Sequence, residues 1–169
     1  RVLIPAGTYK ITSLFLRDDL RLELAEGAVL SAETDRTKFP VLKGLIDSYD
    51  EKEEYNLGTW EGNPLDCFSG IIMGINVSRV TIYGQGMIDV NASFENWWKD
   101  HKVKNIAFRP RMIFLNHCSD VTVQGIRVQN SPSWNIHPYF SDHLRFLDMS
   151  VINPKVSPNT DGLDPESCH

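Results

Sequence analysis

Like residues stand 23 positions apart through the second half of this chain: Ile113 and Ile136, Val121 and Leu144, Val123 and Phe146, Val128 and Val151, Asn130 and Asn153. This register constrains the fold more than any other feature. The segments that carry it alternate apolar and polar residues with period two, as in Val80-Thr81-Ile82, Val121-Thr122-Val123 and Leu144-Arg145-Phe146. Such alternation specifies strands with one buried face. Earlier copies begin at Asp18-Asp19-Leu20-Arg21-Leu22 and Ser78-Arg79-Val80-Thr81-Ile82. Aligning Ser119-Asp120-Val121 with Ser141-Asp142-His143-Leu144 requires one extra residue near His143.

A repeat in the twenties with short strands describes a solenoid, because one coil cannot bury its apolar face and a stack of coils can. The expected fold is therefore all-β, a single solenoid domain over residues 1–169. Asn130 above Asn153 would form a ladder whose side chains bond the turn backbone of their own or a neighbouring coil. A sandwich would not hold one register at so many positions. A leucine-rich repeat would need a Leu/Asn consensus that is missing.

Two stretches interrupt the register. Residues 40–69 include the acidic run Asp50-Glu51-Lys52-Glu53-Glu54, and residues 91–110 include Trp97-Trp98 and the basic segment Lys99–Lys104. Both read as excursions from the coil stack, placed to wall a groove. The polar-aromatic piece at Ser93–His101 is the one candidate for helix. Trp97-Trp98 reads as a hydrophobic seal on its loop rather than a sugar platform.

Composition narrows the function classes. A net charge of −5 and the lack of a concentrated Lys/Arg patch exclude a general nucleic-acid binder. The apolar runs are too short for a membrane span. Cys67, Cys118 and Cys168 form no C-x-x-C pair, so buried or idle thiols are expected, with no metal site. Arg1 stands where a start would place Met, and Glu166-Ser167-Cys168-His169 closes no pattern. The expectation is a piece of a longer protein, incomplete at both ends.

The segment Ser157-Pro158-Asn159-Thr160-Asp161-Gly162-Leu163-Asp164-Pro165 carries the chemistry. By composition it is a turn with two carboxylates three residues apart. On a regular strand Asp161 and Asp164 would face opposite ways, and a bend at Gly162 would turn both outward. The segment also resembles the Asn-Thr-Asp motif of glycoside hydrolase family 28, the polygalacturonases and their relatives. Val2-Leu3-Ile4-Pro5-Ala6-Gly7-Thr8-Tyr9, Leu24-Ala25-Glu26-Gly27-Ala28, Arg109-Pro110-Arg111-Met112-Ile113, Asn130-Ser131-Pro132-Ser133-Trp134 and Ile136-His137-Pro138 resemble that family in the same order. The Ser-Pro-Ser-Trp and His-Pro pieces look more like its bacterial exo-acting members.

The resemblance implies a right-handed parallel β-helix that hydrolyses α-1,4-galacturonosyl linkages of pectin-type polygalacturonate or oligogalacturonides with inversion and without a cofactor or metal. It implies that Asp161 is catalytic and helps to deprotonate water. The family's Asp-Asp pair, Gly-His-Gly and Arg-x-Lys would follow beyond His169, so residues 1–169 alone are expected to be inactive. Substrate-binding candidates are Asn159, Asp164, His137, Trp134 and Arg111. By the 23-residue offset, Trp134 and His137 lie one coil below Asn159–Asp161. Each has a plainer reading: Asp164 as a turn carboxylate, Trp134 as packing, His137 as a structural histidine, and Arg109, Arg111 and Lys155 as solvated surface. Two other functions stay open. One is a non-catalytic β-helix that binds glycans. The other is a pectate-lyase-like β-helix, which would call for a calcium cluster of acids that the sequence lacks.

Overall fold

A computed structural model describes residues 1–44 and 58–169. The acidic run Asp50–Glu54 lies outside the described residues. Three parallel sheets run along a stack of coils. The first pairs Val2–Ile4, Arg21–Leu24, Ser78–Gly84, Ser119–Gln124 and Arg145–Leu147 in that order. The second pairs Gly7–Ile11, Ala28–Ala32, Met87–Asp89, Arg127–Gln129 and Ser150–Ile152. The third pairs Leu14–Phe15, Ile72–Ile75, Ile113–Asn116 and Ile136–Tyr139. Each coil but the last contributes one strand to each sheet in turn, which makes the molecule a parallel β-helix.

The core consists of aliphatic ladders. Leu30, Ile88 and Val128 stack in register and are buried. So do Leu22, Ile82 and Val123, and likewise Ile72, Ile113 and Ile136. Each such side chain contributes roughly 1.5–3 kcal/mol on burial, and only a neighbouring coil can supply the cover.

The 23-residue register is the stacking register. Ile113 pairs with Ile136, Val123 with Phe146 and Val128 with Val151. Two details differ from the sequence reading. Ser119 pairs with Asp142, not Ser141, so the offset of 23 holds there without an inserted residue. Ser141 instead turns its hydroxyl to the Cys118 N–H at 2.9 Å. The last coil is longer: Ile136 pairs with Leu163 and Tyr139 with Glu166, an offset of 27 in both cases.

Corners repeat with the coils. His117 and Phe140 are left-handed (φ 52° and 45°), and so are Asp120 and His143 (φ 51° and 50°), each pair 23 residues apart. Asn130 is left-handed as well (φ 52°), and its side chain donates to Asp89 on the preceding coil at 2.9 Å. Asn153 accepts the Ser131 N–H at 2.8 Å, the kind of turn contact the asparagine ladder predicts.

Both long departures leave the stack between the second and third sheets, after Ala32 and after Asp89. The first holds a short antiparallel pair, Val41–Leu42 with Cys67–Phe68, and a 3-10 turn at Arg36–Lys38 capped by Asp35. Ser93–His101 is a run of turns, not a helix. The Asn96 side chain takes the Ser93 N–H at 2.8 Å and so competes with helical backbone bonding. Trp97 and Trp98 are buried. Trp97 packs edge-on against Phe39 and Phe68, and Trp98 donates to Ser131 O at 3.0 Å. Among the described residues no helix is long and apolar enough to cross a membrane.

Candidate functional site

The Asn159-Thr160-Asp161 turn is held from two sides. Arg109 reaches it from two coils below. Its guanidinium donates to Pro132 O at 2.6 Å, to Pro158 O at 3.1 Å and to Asn159 Oδ1 at 2.6 Å, so one side chain ties three successive coils. Asn159 is left-handed (φ 56°), a conformation asparagine tolerates better than most residues. Burial, with help from the Arg111 charge, pushes the Arg109 pKa down to about 10, which leaves it charged at neutral pH.

Asn135 supplies the second hold. Its backbone N–H donates to Asp161 O at 2.9 Å, and its side-chain amide donates to Thr160 O and Asp161 O at 3.0 and 2.9 Å. The turn backbone is thus fixed while the Asp161 carboxylate stands in solvent.

Asp164 is half-buried, and its Oδ2 is buried without a hydrogen-bond partner. Burial first, and the Asp161 charge second, raise its pKa from 3.8 to about 6, with Arg111 opposing. The two carboxylates therefore lie within each other's field. Gly162 needs no special backbone to bring this about: its φ is not left-handed, and a Cβ there would meet nothing within 4 Å.

Arg109 and Arg111 depart from the solvated reading. They are 5% and 3% exposed. Arg111 lies against two indoles, 4.6 Å from the Trp60 ring centre and 5.1 Å from that of Trp134. It donates to Thr59 O and to Cys67 Sγ. A guanidinium is planar and weakly hydrated, so aromatic faces can replace much of its water. Its pKa is lowered by burial, against the pull of Cys67, Glu166 and Asp164. Buried this way, Arg111 props the site and offers a substrate no open face. Lys155 is exposed, as the sequence suggests.

Trp134 packs: it stacks on Trp60 at 5.4 Å and 17°. One edge still borders a cleft. His137 is fully buried, stacked on Phe114 at 5.0 Å, with Nε2 3.1 Å from Glu166 Oε2 and Nδ1 unpartnered. Burial lowers its pKa, countered in part by Glu166. The 27-residue offset of the last coil sets Ile136 beside Leu163, and Asn135, 26 residues back, bonds Asp161 O, so the expected 23-residue offset does not hold at this turn.

Two clefts flank the turn. One, of about 390 Å³, lies among Trp60, Lys102, Lys104, Phe108, Arg109 and Asn159. The other, of about 400 Å³, lies among Gly62, Trp134, Leu163, Asp164, Pro165 and Glu166. Glu61 borders both. Sequence reasoning missed Trp60, Glu61 and Phe108. The one available signal was a tryptophan set among glycines, Gly58-Thr59-Trp60-Glu61-Gly62, inside an excursion. Cys67, Cys118 and Cys168 are free thiols, the first two buried. Among the described residues no three His, Cys, Asp or Glu side chains group as metal ligands.

Comparison with known proteins agrees with this architecture. The sequence profile described as "Glycosyl hydrolases family 28" matches residues 35–169. A "Probable polygalacturonase" of Vitis vinifera is 33% identical over 170 residues, covering 99% of this chain and 32% of that protein. An "Endo-polygalacturonase" of Pectobacterium carotovorum subsp. carotovorum is 36% identical over 169 residues, covering 91% and 38%. Among solved structures, a hyperthermoactive exopolygalacturonase from Thermotoga maritima aligns with a TM-score of 0.76 at 20% identity, over 98% of this chain and 41% of that one. The polygalacturonase from Erwinia carotovora ssp. carotovora aligns at 0.74 and 23% identity, over 95% and 42%. The structural likenesses show the same fold. The chain spans about a third to two-fifths of the length of these relatives. With the profile matched over most of its residues and the parallel β-helix beneath it, the chain belongs to glycoside hydrolase family 28.

Proposed function

We propose that this chain forms the Asp161-bearing part of an inverting glycoside hydrolase of polygalacturonate, with further groups supplied by a continuing chain. The observation that carries this reading is the Asn159–Asp161 turn. Its backbone is fixed by Asn135 and Arg109, and Asp161 is exposed, with Asn159 bordering one cleft and Asp164 another.

Inversion needs one protonated carboxyl on the leaving oxygen and one carboxylate that takes a proton from water on the opposite face, roughly 6.5–9.5 Å apart. Asp161 takes the water proton as the water oxygen bonds to the anomeric carbon. The acid, from the continuing chain, gives its proton to the departing glycosidic oxygen. The Asp161 charge helps to raise the Asp164 pKa, so the second carboxyl holds its proton more readily. Trp60 and Phe108, stacked at 5.3 Å, offer an apolar wall for a sugar face, and Lys102 and Lys104 offer ammonium groups for uronate carboxylates. His137 and Arg111 support the site from below. The family's known members and the named relatives support the substrate class.

Asp161→Asn in the continuing protein tests this. Loss of a general base lowers kcat by roughly 10²–10⁴-fold. Release of reducing ends from polygalacturonate at the wild-type rate by this variant would remove Asp161 from the mechanism. The same clefts would serve a non-catalytic glycan-binding module. Oligogalacturonate binding with no turnover by the unmutated protein would select that alternative.

A further inference from the structure

A hollow of about 410 Å³ lies on the second excursion, and its lining includes no residue of the last coil. Phe94, Trp98 and Val103 form its apolar wall, and Lys99, Asp100, His101 and Lys102 its polar one. All belong to one excursion, which leaves the stack two coils before the last. The next coil of a solenoid covers the strands of the coil before it, here Arg145–Leu147 and Ser150–Ile152, and this hollow lies on neither.

Phe94 is an aromatic ring held out in water. It is 49% exposed, and Val103 beside it is 67% exposed. Trp98 and His101 meet the Phe94 ring edge-on, at 67° and 75°, so neither stacks over it. The backbone beneath the ring is fixed. The Trp98 N–H donates to Ser93 O at 2.9 Å, and the Asn96 side chain donates to Asn91 O at 3.0 Å. Trp98 itself is buried and braces the ring from below. A rigid, exposed ring of this kind loses little freedom when something lies on it.

The charge at the hollow opposes that of the chain. Residues 99–104 hold Lys99, Lys102 and Lys104 against one acid, Asp100, in a chain of net charge −5. Lys99, Lys102 and Lys104 are all exposed. His101 Nδ1 donates to Trp98 O at 3.3 Å, which sets a neutral tautomer whose Nε2 accepts hydrogen bonds. An apolar ring face, ammonium donors and an imidazole acceptor match the C–H face, the carboxylate and the hydroxyls of a pyranuronate. Resting on the polygalacturonate reading above, we propose that the Phe94–Lys99–His101 face is a second binding site for the acidic polysaccharide, separate from the clefts beside the Asn159–Asp161 turn. It holds a further stretch of a polymer whose other part occupies those clefts. Two weak contacts on one polymer reinforce each other, because the second forms at the high effective concentration set by the first.

Calorimetry on the continuing protein, carrying Asp161→Asn to prevent turnover, tests this with polygalacturonate and with trigalacturonate. Phe94→Ala is expected to raise the Kd for the polymer about three- to tenfold, the size of one lost aromatic contact, and to leave that for trigalacturonate within about twofold. Lys99→Gln is expected to weaken the polymer about two- to fivefold at low salt and less at high salt. This exposed position decides the matter if Phe94→Ala fails to fold. A polymer affinity indifferent to both substitutions overturns the proposal. An equal loss on trigalacturonate also overturns it, because the effect would then lie at the clefts or in the fold. So does a wild-type dimer that Phe94→Ala dissolves with polymer affinity unchanged, which would make the face a contact between copies. Turnover is read separately on protein with Asp161 intact. Polymer binding sensitive to Phe94 without hydrolysis sinks the hydrolase and leaves this site standing; hydrolysis with binding indifferent to Phe94 and Lys99 does the reverse.

Discussion

Replacing Arg109 by alanine should unfasten the Asn159–Asp161 turn. The side chain donates three hydrogen bonds, to Pro132 O, Pro158 O and Asn159 Oδ1. A bond from a charged donor contributes roughly 1.5–3 kcal/mol, so three give roughly 5–9 kcal/mol before costs. Holding the guanidinium charged out of water opposes this. Its pKa falls from 12.5 to about 10. That depression corresponds to roughly 3 kcal/mol as an upper figure, since some solvent still reaches the group. The net loss on Arg109→Ala is then about 2–6 kcal/mol, large beside a typical total stability of 5–15 kcal/mol. Arg109→Lys keeps the charge, but a single ammonium cannot match the planar fork, so it should recover less than half of the loss. Equilibrium urea unfolding of the continuing protein reads both. An Arg109→Ala variant within about 0.5 kcal/mol of wild type, the range of ordinary surface substitutions, would refute the clamp. So would full rescue by lysine.

Three further outcomes follow from the same geometry. The Asp164 pKa is raised in the folded state, so its protonated form favours folding; that stability is present below about pH 4 and is lost as pH rises through about 6. Asp164→Asn should flatten this part of the stability–pH curve, and Asp161→Asn should lower the Asp164 pKa seen by carboxyl NMR; an unchanged titration would dismiss their coupling. Gly125→Ala places a Cβ 2.6 Å from Gly84 O at φ +77°, and the left-handed cost of roughly 1–2 kcal/mol plus the clash should remove about 2–4 kcal/mol by urea unfolding. Asn135→Ala removes both amide bonds under Thr160 and Asp161, and should lower kcat on polygalacturonate at least tenfold with KM little changed; a loss confined to KM would mean that Asn135 serves binding instead.

What the sequence determined was the coil. In a solenoid each residue packs on its equivalent in the next turn, so the three-dimensional neighbour is written as a fixed separation along the chain. Ile113 over Ile136 and Val128 over Val151 were readable for that reason, and so was the turn role of Asn153. The Asn-Thr-Asp segment was recognisable by its likeness to a family, not by its own composition. The tertiary structure decided everything that depends on residues without a fixed separation. The excursions obey no period, so nothing in the chain placed Trp60 on Trp134 or Arg111 against both. Arginine is ordinarily exposed, and only two indoles brought together from residues 74 apart make its burial tolerable. The last coil spans 27 residues rather than 23, and its turn is held by Asn135 and Arg109, side chains from other coils. Charge was readable as a count of −5 for the chain, but its division into a cleft with more bases beside Asn159 and one with acids beside Asp164 arises only when distant loops meet.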